Sequence, residues 1–261
     1  MFHAFDFTFA GESASTYGLF LCDLGSTQHS DFAFANQAII LDSRPGNRIT
    51  PLHYGVRYHD QPLSFTLIFG SNQFLDRYQV QEIARWLTGY QQYQWLSIDQ
   101  PDMEHIQFRC LIQKLTPISV NWLPIIFEAK VVCDCPYAYG YPFEEKIGFN
   151  GTTSYRFYND STIRENIGLD LRIALSAGCR NFSITNQTTD TTMKLTGLPG
   201  DGLLIYFDHE TCILRDEHDE YNIYDFSNYE FLEFASGDNN LILNGVGEVT
   251  ISGRCMYNVG A

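Results

Sequence analysis

Lysine and arginine are scarce in this chain: 16 of them stand against 31 aspartates and glutamates, giving a formal net charge of −15. The basic residues form neither a run nor a stripe. Binding to nucleic acids and to anionic membrane surfaces requires a basic face. We therefore predict that the chain binds neither, and that its acidity serves solubility.

Long apolar runs are also absent. No stretch reaches the roughly 18 residues of a membrane span, and Met1 to Asp6 has neither a basic region nor an apolar signal segment. We expect no secretion by the signal-peptide route. The seven cysteines are odd in number and lack the spacing of a disulfide framework, which favours free thiols in a reducing compartment.

Local catalytic motifs are missing. The chain has no Gly-rich phosphate loop between a strand and a helix, no G-x-S-x-G elbow and no H-E-x-x-H pair. The histidines of the first half are scattered along the sequence: His3, His29, His53, His59 and His105. We predict no catalytic residue, no cofactor and no enzyme activity, and a hydrolase of unknown type remains an alternative.

Two segments carry residue types that bind metals. Cys133 and Cys135 are one residue apart, but a structural zinc site needs four ligands and no second pair lies nearby. Asp208-His209-Glu210 and Asp216 to Glu220 are acidic, yet they lack the EF-hand spacing and fit solvated loops better. We predict no metal site.

Residues that favour β-strands dominate what is present. The chain has 20 Phe and 16 Tyr, and 44% of its residues are apolar. Phe2 to Phe9 alternates and should pair with Tyr17 to Cys22 as a hairpin, and Leu63 to Phe69 alternates over its whole length. Further strands are predicted at Tyr54 to His59, Tyr93 to Ile98, Ile106 to Leu115 and Trp122 to Cys133.

One helix is predicted, from Phe74 to Thr88. Leu75, Tyr78, Glu82 or Ile83, Trp86 and Leu87 recur near helical spacing, and the apolar ones should form its buried face. Gly89 is expected to end the helix.

Composition changes near residue 138. The segment from Cys133 to Pro142 has two prolines and three tyrosines and cannot continue a central strand. We place a domain boundary there, with an N-terminal β domain over 1–138 and a C-terminal domain over 139–261.

The C-terminal part shows short strands separated by turn signals, which is typical of a β-sandwich. These strands are predicted at Ser154 to Tyr158, Leu169 to Leu175, Asn181 to Thr185, Thr192 to Leu195, Leu203 to Phe207, Cys212 to Arg215, Asn240 to Leu243 and Glu248 to Met256. The fold class is therefore mainly β, with one α-helix in the first domain.

Two sets of residues are candidates for binding surfaces. Arg44, Arg48 and Arg57, with Tyr58, form a local cluster, for which a solvated face is the simpler explanation, although it could pair with acidic residues of a neighbouring subunit. Tyr155, Phe157 and Tyr158 share one predicted strand and could stack on sugars. Aromatic residues are, however, also ordinary sandwich core.

Three segments together resemble one known family. They are the turn from Arg57 to Pro62 with its alternating strand, the helix end Ala84-Arg85-Trp86-Leu87-Thr88-Gly89, and the closing strands Leu198 to Ile205, Gly237 to Leu243 and Glu248 to Arg254. In this order they resemble the distal tail (Dit) protein family of long-tailed bacteriophages. The resemblance spans nearly the whole chain as an architecture, and Asp23 to Ala35 has no counterpart in it.

The resemblance implies a structural protein of the virion tail tip, assembled in the host bacterial cytoplasm. Its N-terminal domain would form a six-membered ring, and its C-terminal domain would be a galectin-like β-sandwich that projects outward. The implied partners are other copies of the chain, the major tail protein, a tail-associated fibre or tip protein and, as a further option, a receptor-binding protein. The alternative function is a carbohydrate-binding module that recognises host cell-wall glycans.

A ring predicts exposed strand edges that neighbouring subunits can use. The candidates are the hairpin from Phe2 to Cys22 and the strand from Leu63 to Phe69.

Overall fold

The computed structural model describes residues 6–22, 37–41, 53–58, 62–120 and 123–259. The chain divides into two compact units, one of Met1–Gly140 with Tyr257–Ala261 and the other of Tyr141–Met256. No helix in the described part of the chain is long and apolar enough to cross a membrane.

The strands, in chain order, are β1 (Phe7–Phe9), β2 (Glu12–Ser13), β3 (Leu19–Leu21), β4 (Gln37–Leu41), β5 (His53–Tyr58), β6 (Ser64–Ser71), β7 (Gln94–Ile98), β8 (Ile106–Val120), β9 (Leu123–Cys133), β10 (Ala138–Gly140), β11 (Phe143–Asn159), β12 (Asp170–Leu175), β13 (Asn181–Asn186), β14 (Thr191–Thr196), β15 (Leu204–Asp208), β16 (Ile213–Asp216), β17 (Gly237–Gly253) and β18 (Met256–Tyr257). The helix α1 spans Arg77–Thr88, and short 3-10 helices span Ala14–Tyr17 and Ile223–Phe226. The prediction of a mainly β fold is confirmed.

The first unit is built on one antiparallel sheet in the order β2-β1-β7-β8-β9-β6-β3. Its β8 and β9 form the longest hairpin of the unit, paired from Cys110↔Cys133 to Val120↔Leu123. The strands β4 and β5 pair with each other as a separate two-stranded sheet.

The predicted hairpin from Phe2 to Cys22 is wrong. After β1 the chain makes only the two-residue strand β2 and a 3-10 turn, and β3 then pairs with β6 at the opposite edge of the sheet. Local alternation identified both strands, but it holds no information on their partners. The predicted edge strand β6 is paired with β9, and β3 joins its other side from Leu21↔Phe69 to Leu19↔Ser71.

The helix begins three residues later than predicted, because Asp76 caps it. The Asp76 carboxylate accepts a hydrogen bond from the Gln79 amide at 2.8 Å, and the Gln79 side chain accepts one from the Asp76 amide at 2.9 Å. This reciprocal pair is a capping box. Gly89 ends the helix as predicted, and its amide donates to the carbonyl of Arg85 at 3.0 Å.

Four of the five residues predicted for the buried face of α1 are buried: Leu75, Ile83, Trp86 and Leu87. Tyr78 is 76% exposed, so its assignment is wrong. At about 100° per residue, Tyr78 lies about 140° around the helix from Ile83.

The second unit is a β-sandwich organised by one long ribbon. β11 pairs with β17 over the full length of both strands, from Phe143↔Gly253 to Asn159↔Gly237. On its other side, β17 pairs with β13 near its start and with β12 near its end. β14 extends the sheet beyond β13, and β15 and β16 extend it beyond β12.

The strand β17 changes its partner from β13 to β12 near two of its glycines. Gly245 has φ +129°, and Gly247 follows where β17 leaves β13 and joins β12. A Cβ on Gly247 would lie 2.2 Å from the carbonyl oxygen of Ala174 on β12. Glycine therefore allows the close approach of β12 to β17 at this point.

Buried asparagines hold the segment before β17. Asn239 accepts hydrogen bonds from the Asn186 side chain at 2.8 Å and from the Ala235 amide at 2.9 Å. Asn159 donates to the Ala235 carbonyl at 3.0 Å and accepts from the Ser161 hydroxyl at 2.7 Å. Because buried polar groups must find partners, this network fixes the path of the chain into β17.

Candidate functional site

The surface of the first unit carries two exposed aromatic side chains at the start of α1. Phe74 is 66% exposed and Tyr78 is 76% exposed, and they lie four residues apart around the Asp76 cap. We call them the aromatic pair. Phe20, on the edge strand β3, is also exposed. Large apolar side chains that are exposed are candidates for contact with a partner, whereas the sequence pattern predicts a buried Tyr78.

A groove of about 520 Å³ lies beside the edge strand β2. Trp86, Tyr17 and Tyr90 line it together with the carboxylates of Glu12 and Glu82, and Arg85 and Gly89 complete it. The Tyr17 hydroxyl donates a hydrogen bond to Glu12 at 2.6 Å, which raises the pKa of Tyr17 to about 12. The two carboxylates make this edge of the sheet suitable for a basic side chain of a partner.

The arginine cluster is described only in part. Arg44 and Arg48 lie outside the described residues. Arg57 and Tyr58 lie on β5, where they pair with Ala38 and Gln37 of β4. The hairpin formed by β4 and β5 therefore carries two of the four predicted interface residues.

The three aromatic residues predicted to stack on sugars do not form one platform. Phe157 is 1% exposed and packs against Phe234 in the sandwich core, so this assignment is wrong. Tyr155 is half-buried and donates its hydroxyl to Glu145. Tyr158 is 64% exposed, and as the immediate neighbour of Phe157 on β11 it points to the opposite face.

The acidic segment at Asp208 is a stabilised turn between β15 and β16. Asp208 accepts hydrogen bonds from the amides of Glu210 and Thr211, which lowers its pKa. His209 donates its amide to Asp170 at 3.0 Å and places Nδ1 2.7 Å from the same oxygen. The three side chains lie close enough to hold an ion. The two carboxylates already accept hydrogen bonds from the amides of the turn, Asp208 from Glu210 and Thr211 and Asp170 from His209. Asp170 could not be found from sequence because it lies on β12, far from the acidic segment.

The second acidic segment has a buried member. Asp216 is 3% exposed, whereas Glu217 to Glu220 are exposed as predicted. Its carboxylate accepts hydrogen bonds from the amides of Glu220 at 3.1 Å and Tyr221 at 3.3 Å. Burial acts to raise the pKa of Asp216, but the amides outweigh it, and the pKa is lowered below about 3.8. Asp216 therefore holds this loop in place.

Replacing Asp216 with asparagine is expected to destabilise the second unit by about 1–3 kcal/mol at pH 7, because the amide nitrogen of the new, buried side chain would face a part-buried N–H donor. A lowered folded-state pKa contributes stability above the unfolded value of about 3.8, and this is lost as the pH falls through the folded value. Urea unfolding should therefore show the difference from the wild type at pH 7 and a smaller one near pH 3. Glu217→Gln, in the exposed part of the loop, is the control and should behave as the wild type at both pH values.

The cysteines at the end of β9 have separate environments. Cys135 donates its thiol to the Tyr137 carbonyl at 3.2 Å, while Cys133 is buried in the core. Among the described residues, the Asp170, Asp208 and His209 group alone has three candidate ligand atoms within 4.8 Å of one another.

Comparison with known proteins gives a consistent result. A family model described as a phage tail protein N-terminal domain matches residues 2–135, and a second, described as a phage tail C-terminal domain, matches residues 137–253. The search of curated proteins gives no match.

Two solved structures are similar to this chain. The Dit protein of SPP1, described as a paradigm of the hub adsorption apparatus in phages that infect Gram-positive bacteria, is similar with a TM-score of 0.70 and 8% identity, over 96% of this chain and 98% of that chain. A chain of the phage P2 baseplate in its activated conformation with Ca is similar with a TM-score of 0.42 and 10% identity, over 84% of this chain and 86% of that chain. The predicted resemblance is confirmed.

Proposed function

Because the chain belongs to the phage tail protein family whose N-terminal and C-terminal domain models it matches, we propose that it is a structural hub of the tail tip. In this proposal six copies form a ring through their first units, and the ring joins the tail tube to the baseplate or tip and its receptor-binding apparatus. The major tail protein and a tail-associated fibre or tip protein are the neighbours on its two sides. The observation that carries the proposal is the fold shared with SPP1 Dit along nearly the whole of both chains.

The first unit offers the different surfaces that a ring requires. In a ring each subunit contacts its two neighbours through two unlike patches. The edge strands β2 and β3 lie at opposite ends of the sheet, the aromatic pair and Phe20 are exposed, and the groove at β2 carries two carboxylates. We infer that the arginines at 44, 48 and 57 of one subunit contact the acidic groove of the next.

The aromatic pair supplies the test. Burying an aromatic side chain contributes about 1.5–3 kcal/mol, so removing both should weaken each subunit contact by about 3 kcal/mol or more, roughly 100-fold in the dissociation constant. We expect the wild type to have a mass near six times 29.9 kDa, or a multiple of it, by light scattering coupled to size exclusion. The double variant Phe74→Ser/Tyr78→Ser should elute as smaller species and keep the far-ultraviolet circular dichroism spectrum of the wild type.

The control is Tyr158→Ser, which removes an exposed tyrosine from the second unit and should leave the ring intact. A central hole in negative-stain images of the wild type would support the ring further. A wild-type chain that stays monomeric at its highest soluble concentration and binds cell-wall glycans would instead favour the carbohydrate-binding alternative, with Tyr158 as the residue to test next.

A further inference from the structure

Cys110 on β8 and Cys133 on β9 lie directly opposite each other in the antiparallel ladder. Both thiols are free, and both side chains are buried, with exposures of 0% and 1%. Directly opposite residues on neighbouring strands point to the same face of a sheet. The two thiols are therefore neighbours in the core, at the base of the hairpin formed by β8 and β9.

The surrounding backbone hydrogen bonds show whether Cys110 and Cys133 form a hydrogen-bonded or a non-hydrogen-bonded pair of the ladder. The next pair in the ladder, Arg109 and Asp134, is hydrogen-bonded, because the Asp134 amide donates to the Arg109 carbonyl at 3.0 Å. The Cys133 amide points away from β8 and donates to the Leu63 carbonyl at 2.8 Å. Since hydrogen-bonded and non-hydrogen-bonded pairs alternate in an antiparallel ladder, Cys110 and Cys133 form a non-hydrogen-bonded pair.

This pair type has the spacing that a disulfide needs. Cα atoms in a non-hydrogen-bonded pair lie about 4.5 Å apart, within the roughly 4.4–6.8 Å range of disulfides. Opposite Cβ atoms lie near the lower end of about 4.5–5.5 Å, so a small approach of the two strands brings them to bonding distance.

We propose that Cys110 and Cys133 are a disulfide-forming pair that cross-links β8 to β9 when the subunit meets a small-molecule disulfide such as oxidised glutathione. One thiolate attacks the small disulfide and releases one small thiol, and the second thiolate attacks the resulting mixed disulfide and releases the other. The two cysteines lose their S–H bonds, and the small molecule loses its S–S bond. One S–S bond forms in the protein, and the two protons end on the two small thiols that are released. The two electrons thus pass from the cysteines to the small disulfide.

Burial controls when this reaction occurs. Removal from water raises the pKa of Cys110 to about 12 and also raises that of Cys133. Because the thiolate is the reacting species, exchange in the closed fold is slow and the pair stays reduced. Cross-linking therefore takes place during folding, or during local opening of the hairpin, in an oxidising medium. Virion surfaces are such a medium, although the chemistry does not depend on the ring.

The test is to refold the reduced, full-length chain in a buffer of reduced and oxidised glutathione. We expect the product to have two fewer free thiols than the seven of the reduced chain, with a peptide that joins Cys110 to Cys133 in the mass spectrum. The cross-linked form should melt about 5 °C or more above the reduced form, and dithiothreitol should reverse the difference.

Two variants separate this pair from the other cysteines. Cys133→Ala should abolish the cross-link, whereas Cys212→Ala, which removes an exposed cysteine, should retain it. The proposal is overturned if refolded wild type keeps all its thiols, or if the cross-link joins other cysteines while Cys110 and Cys133 stay free. The disulfide is mapped in the wild-type chain, so this result does not depend on whether a variant folds.

Discussion

Replacing Gly247 with alanine is expected to destabilise the second unit by about 4 kcal/mol or more. The new Cβ would lie 2.2 Å from the Ala174 carbonyl oxygen and 3.1 Å from the Leu175 Cα. Both contacts are with the backbone of β12, which cannot rotate away as a side chain can. The variant must therefore separate β12 from β17, and β15 and β16 reach the ribbon only through β12. A loss of this size is a large part of the stability of an ordinary domain.

Gly148→Ala is the matched control. Gly148 lies on the same ribbon, opposite Glu248, and a Cβ there would meet no atom within 4 Å. It should change the unfolding free energy by no more than about 0.5 kcal/mol.

The tryptophans allow the two units to be followed separately. All three, Trp86, Trp95 and Trp122, lie in the first unit. In urea unfolding, Gly247→Ala should lower the midpoint seen by far-ultraviolet circular dichroism and leave the tryptophan fluorescence midpoint in place. Equal stability of the Gly247→Ala and Gly148→Ala variants would show that β12 and β17 are less close than described.

Gly245 and Gly247 explain why the sequence predicts two strands where the structure has one. The predicted strands are Asn240 to Leu243 and Glu248 to Met256, whereas β17 runs without a break from Gly237 to Gly253. Gly-Val-Gly between two apolar runs is typical of a turn. Here it marks the point where a continuous strand changes partners. Only the partner strands distinguish the two cases, and they are distant in sequence.

The alternation of apolar and polar residues located the strands, but it did not predict which strands pair with each other. The pattern from Leu63 to Phe69 located β6, and the helix near residues 77–88 followed from its period. The position of β3 beside β6 depends on contacts across the whole first unit, which no local pattern contains. Similarly, the prediction for Tyr78 rests on its spacing from Leu75, but Leu75 lies before the Asp76 cap, where helical spacing does not hold.

Candidate sites were the hardest to predict. An aromatic residue on a strand gives no sign of its face until the register is known, which is why Phe157 was assigned to a surface. The Asp170–His209 contact joins residues that are far apart in the sequence. By contrast, the helix end that resembles the distal tail proteins carries Trp86, which is buried in the core of the first unit.

Replacing Trp86 with alanine is expected to cost the first unit about 3–5 kcal/mol. The indole stacks on Tyr17 with centroids 4.6 Å apart and on Phe7 at 5.8 Å, and it is almost fully buried. Its Nε1 donates to the carbonyl of Phe9 at 3.1 Å. Truncation would open a cavity between α1 and β1 and leave that carbonyl without its donor.

Trp86→Phe helps to separate the two contributions, because it retains most of the packing while it removes the N–H donor. It should cost less than the alanine variant. Gln81→Ala, on the exposed side of the same helix, should change the unfolding free energy by no more than about 0.5 kcal/mol. Far-ultraviolet circular dichroism in urea measures all three, since the Trp86 variants alter the fluorescence itself. A Trp86→Ala chain as stable as Gln81→Ala would contradict the packing described for α1.

If the first unit forms the ring, the two strongly destabilising variants, Trp86→Ala and Gly247→Ala, should differ in their effect on assembly. Tyr17 lies in the 3-10 turn after β2 and rests on Trp86, so Trp86→Ala removes the support of both the groove and this edge of the sheet. We expect this variant to lose the ring, as measured by light scattering below its unfolding midpoint. Gly247→Ala damages the second unit and should keep the ring mass. If the Gly247 variant alone lost the ring, the second unit would be the assembling part.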